Sequence, residues 1–350
     1  MRPRVFASLA AAAPRLAPLA FLAILLAPLA GSGCSSGGGP KSEAYPVGLV
    51  FDVGGLGDKS FNDSAYLGLT RAKEQLGISF SCIEPDEGTD REAALRLFAS
   101  GPSKLIIGVG FLFTDDIEKV AAEFPEKKFA CVDYTWSEGK TVPPNLVGLK
   151  FREEEGAFLV GAVAGLVSKT GVVGFVGGMD IPLIHKFEAG YRAGFRAVKP
   201  NGKVLVNYAG VTGDAFKNPA RGKELGLSQI DQGADVIFHA SGSTGLGVFE
   251  AVRSRGKLGI GVDSDQSAVA PGFVLTSMTK QVDVAVFDAI RRAQDGSFTG
   301  GILSEGLKEG GVDYVVSAEN EKWITPEVKE RVEQFRREII EGKITVPSAR

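Results

Sequence analysis

Short apolar runs rich in Val, Ile and Leu alternate along this chain with longer stretches whose apolar residues recur at helical spacing. VGLVF (47–51) predicts a buried strand, and Ala65, Leu69, Ala72 and Leu76 predict the helix that follows it. The pattern continues with ISFSCI (78–83), a helix over 91–99, KLII (104–107), a helix carrying Ile117, Val120 and Phe124, then KFACV (128–132) and NLVGL (145–149). Strands alternating with helices in this way predict one parallel-sheet lobe. The segment 153–168 opens with three acids and runs on as AFLVGAVAGLV, apolar on every side and too short to cross a membrane. It reads as a buried helix between lobes.

A second series repeats the first. VVGFV (172–176), a helix over 187–198, KVLVNY (203–208), a helix over 219–232, DVIFH (235–239), a helix after Thr244, LGIGV (258–262) and FVLTSMT (273–279) predict a second lobe of the same α/β kind. Two similar lobes side by side leave a cleft. A last helix opens with Thr325 as N-cap and Pro326 in its first turn, and Val328, Val332, Phe335 and Ile339 form its apolar face.

The N-terminus departs from this alternation. Residues 1–33 hold Arg2, Arg4 and Arg15 and no acid, and the run from Leu16 to Gly33 is uncharged, the layout of a secretory signal. GSGC resembles a bacterial lipobox in Gly33 and Cys34, with Gly31 where such lipoproteins usually carry Leu, and SSGGGPKSE follows as a polar tether. The expectation is an exported body, lipid-anchored through Cys34 to the cell envelope membrane. Cleavage before Cys34 leaves 350 − 33 = 317 residues, and the loss of three arginines moves the formal charge from −3 to −6. An acidic body of this kind gives no reason to expect nucleic-acid binding. Cys82 and Cys131 fall in the second and fourth strands of the first lobe, which are not neighbours in a doubly wound sheet, so two buried free thiols are expected.

Ligands of open parallel sheets bind beyond the carboxyl ends of the strands. In VFDVGGLGDKSFN (50–62) a strand ends in Asp52, passes a glycine-rich turn and delivers Phe61 and Asn62 to a helix start, with Asp58 read as a turn residue facing water. Two aspartates flanking the turn, and no Lys-Ser/Thr pair after its glycines, disfavour a phosphate cradle. The same rule adds Asp133 after KFACV, Phe187 in HKFEAGY, Ser241, Gly242 and Ser243 after DVIFHA, Asp263 after LGIGV and Lys280 after the last strand, with Lys280 near Asp263. Aromatic plates, three carboxylates, one amide and one ammonium suit a flat, neutral ligand bearing hydroxyls.

Enzyme chemistry finds little support. His185 and His239 pair with no cysteine or carboxylate cluster at metal-ligand spacing, so neither metal nor cofactor is expected. Ser241-Gly-Ser243-Thr-Gly245 lacks the first glycine of a nucleophile elbow, and GVVGFVGG sets its first glycines inside a strand, unlike a dinucleotide fingerprint. Asp133 and Asp263 as a glycosidase acid and base remain an alternative.

The stretches 48–69, 147–194, IGVDSDQ (260–266), TSMTKQVD (276–283) and LKEGGVDY (307–314) resemble the basic membrane protein family of substrate-binding lipoproteins, which includes the purine nucleoside receptor of bacterial ABC importers. The resemblance implies a type I periplasmic-binding fold with three crossovers. It implies a first lobe of 45–150 plus about 279–300 and a second of 151–278 plus about 301–345. It further implies a purine nucleoside sandwiched by Phe61 and Phe187, its base edge met by Asn62 and Asp133. Asp52, Asp263, Lys280 and the loop of Gly242 and Ser243 would hold the ribose side. A monomer serving a permease and an ATPase would follow. A receptor of the same fold for a flavin or a sugar, and a nucleoside-cleaving enzyme, are the alternatives.

Overall fold

The structure, a computed structural model, describes residues 4–6, 44–85, 90–136 and 139–349. Of the expected signal segment only β1 (Arg4–Phe6) is described, and Cys34 and most of the tether lie outside the described residues.

The first lobe follows the predicted alternation: β2 (Pro46–Val50), α1 (Phe61–Leu76), β3 (Ser79–Glu84), α2 (Arg91–Ser100), β4 (Leu105–Val109), α3 (Thr114–Glu123), β5 (Lys128–Val132) and β6 (Leu146–Phe151). Next comes α4 (Glu153–Val167), buried over most of its length as its all-apolar sequence requires. The second lobe runs β7 (Val172–Met179), α5 (Pro182–Val198), β8 (Lys203–Gly210), α6 (Pro219–Asp231), β9 (Val236–Ala240), α7 (Thr244–Ser254), β10 (Leu258–Asp263) and β11 (Val274–Lys280). The chain then recrosses with α8 (Val282–Asp295) and β12 (Gly301–Glu305), and returns for β13 (Val312–Tyr314) and α9 (Pro326–Ile340).

One sheet has the order β1-β3-β2-β4-β5-β6-β12 and the other β13-β11-β10-β9-β7-β8. Pairing is parallel throughout except for the edge strands β1 and β13. Three crossovers therefore join the lobes, at Arg152, at Gln281 and between β12 and β13. They brace one another, since the Arg152 amide donates to Glu305 O at 2.8 Å and the Gln281 amide to Gly311 O at 2.9 Å. The lobe limits differ slightly from expectation. Gly301–Glu305 pairs with β6 in the first sheet and Lys280 ends a strand of the second, so the returning segment covers about 282–305. The stretch GGILSEG holds too few apolar residues to announce a strand; its neighbour β6 supplies the pairing.

The α1 terminus shows how the sequence places the cleft residues. Gly54, Gly55 and Gly57 adopt positive φ and turn the chain sharply after β2. Asp58 then accepts hydrogen bonds from the amides of Ser60 (2.9 Å), Asn62 (2.8 Å) and Asp63 (3.2 Å). A carboxylate over the first turn satisfies donors that a helix leaves open, a contribution of about 1 kcal/mol. Asp58 is 3 % exposed, so it caps a helix from the interior and is not the water-facing turn residue expected. At the far end Gly77, left-handed at φ 68°, closes α1.

In the second lobe α4 and α5 approach with no side chains between them at three points. A Cβ on Gly161 would lie 2.2 Å from Tyr191 O, one on Gly190 2.1 Å from Glu154 O, and one on Gly194 1.9 Å from Phe158 O. Phe335 of α9 packs edge-on against Phe158, 5.4 Å between centroids, and closes that face as predicted.

Candidate functional site: the cleft between the lobes

A cavity of about 520 Å³, counting its mouth, lies where the carboxyl ends of both sheets meet. Asp52, Phe61, Asn62 and Asp133 reach it from the first lobe, and Phe187, Gly242 and Asp263 from the second, together with Lys280 at the end of β11. Ser241 joins them, so nine of the ten expected side chains and loop positions line one space. Ser243 does not. Its Oγ donates to Phe216 O at 3.0 Å, holding the loop that carries Phe216.

Phe111, Phe216, Leu183 and Ile184 complete the apolar wall. Phe111, just past β4, and Phe216, in a 3-10 turn after β8, meet edge-on across the lobes with centroids 6.5 Å apart. The strand-end rule that found Asp52 reaches Phe111 too, since it follows the run LIIGVG; Phe216 lies six residues beyond its strand, where the rule has no reach.

Lys280 is the electrostatic centre. It is 2 % exposed, and its ammonium donates to both carboxylate oxygens of Asp133, at 2.9 and 2.7 Å. Glu153 stands 3.7 Å away and is itself bonded to Lys186 of α5. The ion-pair partner of Lys280 is Asp133 in the other lobe, while Asp263, expected beside it, feels its charge without a direct ion pair. Lys280 Nζ also lies 4.7 Å from the Phe61 ring centroid, 5.3 Å from Phe151 and 5.7 Å from Phe187, within cation–π range of all three. Burial disfavours the ammonium, but Asp133, Glu153 and Asp263 outweigh it and raise the pKa of Lys280, which stays charged.

The aspartates carry more charge than one lysine balances. Burial pushes Asp52 up to about 7, with Asp133 adding to the effect. Burial likewise pushes Asp263 up to about 6, against the pull of Lys280 and the Ser60 hydroxyl, which donates to its Oδ2 at 2.6 Å. Asn62 is built into the turn: Oδ1 accepts the Asp52 amide (2.9 Å) and Nδ2 donates to Asp58 (3.1 Å). By the donor and acceptor inventory of a carboxamide, one N–H and one lone pair remain for a ligand.

Cys82 in β3 and Cys131 in β5 are both buried and free, on strands separated in the sheet by β2 and β4. Among the described residues no group of histidine, cysteine and carboxylate side chains forms a metal cluster, and no helix is long and apolar enough to cross a membrane.

Comparison with known proteins agrees with this architecture. Residues 46–350 match the Bmp family, described as ABC transporter substrate-binding protein, PnrA-like. The chain is 37 % identical to an uncharacterized lipoprotein of Pyrococcus horikoshii, over 92 % of this chain and 89 % of that one. It is 37 % identical to the CD4+ T-cell-stimulating antigen of Listeria monocytogenes, over 88 % and 89 %. It is 35 % identical to basic membrane protein A of Borreliella burgdorferi, over 93 % and 95 %. Among solved structures, an ABC transporter solute-binding protein from Aeropyrum pernix superposes with a TM-score of 0.79 at 33 % identity, covering 87 % of this chain and 94 % of that one. With its two parallel-sheet lobes and a cleft between them, the chain belongs to the Bmp family of PnrA-like ABC transporter substrate-binding proteins.

Proposed function

We propose that this chain binds a purine nucleoside between its lobes, without turning it over, and presents it to the permease and ATPase of an ABC importer. The observation that carries the reading is that Phe61 and Phe187, one from each lobe, wall the same cavity as Asp52, Asn62, Asp133 and Asp263. A flat base stacks between rings, and a ribose offers hydroxyl donors to carboxylates. In this reading Asn62 and Asp133 meet the base edge, while Asp52, Asp263, Lys280 and the Gly242 loop hold the sugar. One Oδ of Asp263 is engaged by Ser60, which leaves the other for a hydroxyl.

Charge narrows the ligand further. Among the described residues that line the cavity, Asp52, Asp58, Asp133 and Asp263 face a single cation, Lys280, so a phosphate would enter against repulsion. Nucleosides, not nucleotides, fit this balance. Closure of the lobes on the ligand is the signal for the permease, and lipid on Cys34 keeps a monomeric receptor exported and at the membrane.

Titration calorimetry with guanosine, inosine, adenosine and cytidine, set beside guanosine monophosphate, riboflavin and ribose, tests the reading. Purine nucleosides should bind and remain intact by chromatography. Preference for riboflavin or ribose would replace the ligand, equal binding of the monophosphate would refute the charge argument, and release of free base would make the protein a hydrolase.

A further inference from the structure

IGVDSDQ supplies Asp263 to the cavity, but its last residue, Gln266, is engaged elsewhere. Gln266 is 1 % exposed, and its own amide donates to Ser277 Oγ at 3.0 Å, fixing it in the second lobe. Its side chain reaches over the cleft. Nε2 donates to Lys59 O of the first-lobe turn at 2.9 Å, while Oε1 accepts the Val262 amide at 2.9 Å and lies 3.0 Å from His239 Nε2. His239 Nδ1 in turn lies 3.4 Å from Oγ of Ser241, a cavity-lining residue.

The direction of every bond in this line follows from its two backbone ends. An amide N–H only donates and a carbonyl only accepts, so Val262 and Lys59 set which way the Gln266 carboxamide faces. Oε1 can then only accept from His239, which places the imidazole hydrogen on Nε2, and since burial lowers this histidine to about 4 and keeps it neutral, Nδ1 is left as an acceptor. The Ser241 hydroxyl must donate to it. With its one hydrogen given to Nδ1, Ser241, which also lines the cavity, keeps only lone pairs for any other partner. The imidazole is fully buried, edge-on to Phe249 at 5.2 Å, and a Cβ on Gly245 would lie 2.0 Å from it, so the ring has no room to turn.

We infer that Gln266 bolts the closed cleft by holding Lys59 O, that His239 aligns this bolt with Ser241, and that the ligand must present a hydrogen-bond donor to Ser241. The inference rests on the cleft being the ligand site and takes no side on which nucleoside fills it. When the lobes part, the Lys59 carbonyl leaves and the line loses one of the ends that orients it. A donor from the ligand to Ser241 strengthens the chain of bonds behind it.

Hydrogen exchange read by mass spectrometry on the ligand-free protein tests the bolt without any nucleoside. Gln266→Ala, and the near-isosteric Gln266→Glu, which has no donor for Lys59 O, should speed exchange in 57–64 by about fivefold or more while α2 and α6 hold their protection. A glutamine that merely packs its own lobe would speed only 258–266, and unchanged exchange at 57–64 in both variants would overturn the bolt. Guanosine then tests the line. Ser241→Ala and Gln266→Ala should each weaken it about five- to tenfold, and the double variant by at least about threefold less than the product of the two. Losses that simply multiply would overturn the alignment through His239. Should wild type fail to bind guanosine, the nucleoside reading falls and the exchange result still decides the bolt.

Discussion

Asp133 and Asp263 occupy matching positions in two copies of one design: Asp133 directly follows β5 and Asp263 is the last residue of β10, and each holds a left-handed backbone, φ 58° and 64°. A non-glycine residue pays on the order of 1 kcal/mol for that region, and the cost is met twice where the two sheets face one cavity. Their surroundings have diverged. Asp133 is hydrogen-bonded to Lys280, whereas Asp263 accepts from the Ser60 hydroxyl and feels Lys280 only through space.

Breaking that pair should be costly. Lys280→Met leaves Asp133 buried without a cation, and unfolding free energy in urea should fall by about 3–5 kcal/mol. Adding Asp133→Asn should restore more than half of the loss without restoring guanosine binding. A single variant as stable as wild type would show that Asp133 is neutral without its partner.

The aromatic walls should separate binding from folding. Phe61→Ala and Phe187→Ala should each weaken nucleoside binding by about 1–3 kcal/mol. Phe61 is only half-buried and its loss should spare stability. Phe187 is 3 % exposed and packs 6.4 Å from Phe238, so its truncation should also cost about 3 kcal/mol of stability. Differential scanning calorimetry beside the titrations separates the two effects.

The raised carboxylates fix a pH dependence. Asp52 at about 7 and Asp263 at about 6 bind protons more readily in the folded than in the unfolded chain, where both titrate near the ordinary carboxylate value. The stability this supplies is complete below pH 4 and is lost as pH rises through 6 to 7. Ligand-free protein should therefore melt lower at pH 8 than at pH 5. Asp52→Asn should recover on the order of 1–3 kcal/mol at pH 8 and nothing at pH 4. A pH-independent gain would point to packing.

Asp58 and Asp263 should fail in different ways. Asp58→Ala uncaps α1 and should cost about 1–2 kcal/mol of stability. Asp263→Ala should weaken a ribonucleoside more than its 2′-deoxy analogue, because the lost acceptor is charged and desolvated. Calorimetry on the pair of ligands would refute the ribose role if wild type treats both sugars alike.

Strand ends were legible because a period of alternation locates them, and that alone brought Asp52, Phe61, Asp133, Phe187, Asp263 and Lys280 into one list. Which of them pair was not legible. Lys280 ends β11 in one lobe and Asp133 follows β5 in the other, and only the meeting of the two lobes brings them within 2.7 Å. Asp58 was misread for a related reason: a turn aspartate and an interior helix cap share the same local sequence, and burial at the wall of the cleft decides between them. The short strands β12 and β13 went unread because their apolar positions are few and their partner strands lie more than thirty residues away in sequence, whereas α8 carries a legible helical stripe in Val282, Ala285, Val286, Ala289 and Ile290.

The glycine contacts between α4 and α5 have a mechanical side. Domain motions proceed by hinge or by shear, and shear needs packed side chains that slide and re-seat in small steps. Where Gly161, Gly190 and Gly194 bring backbone onto backbone, no such layer exists, and α4 also carries the first crossover at its N-terminus. The two helices are therefore locked to each other, so that whatever moves one carries the other and, through the N-terminus of α4, pulls on the crossover at Arg152.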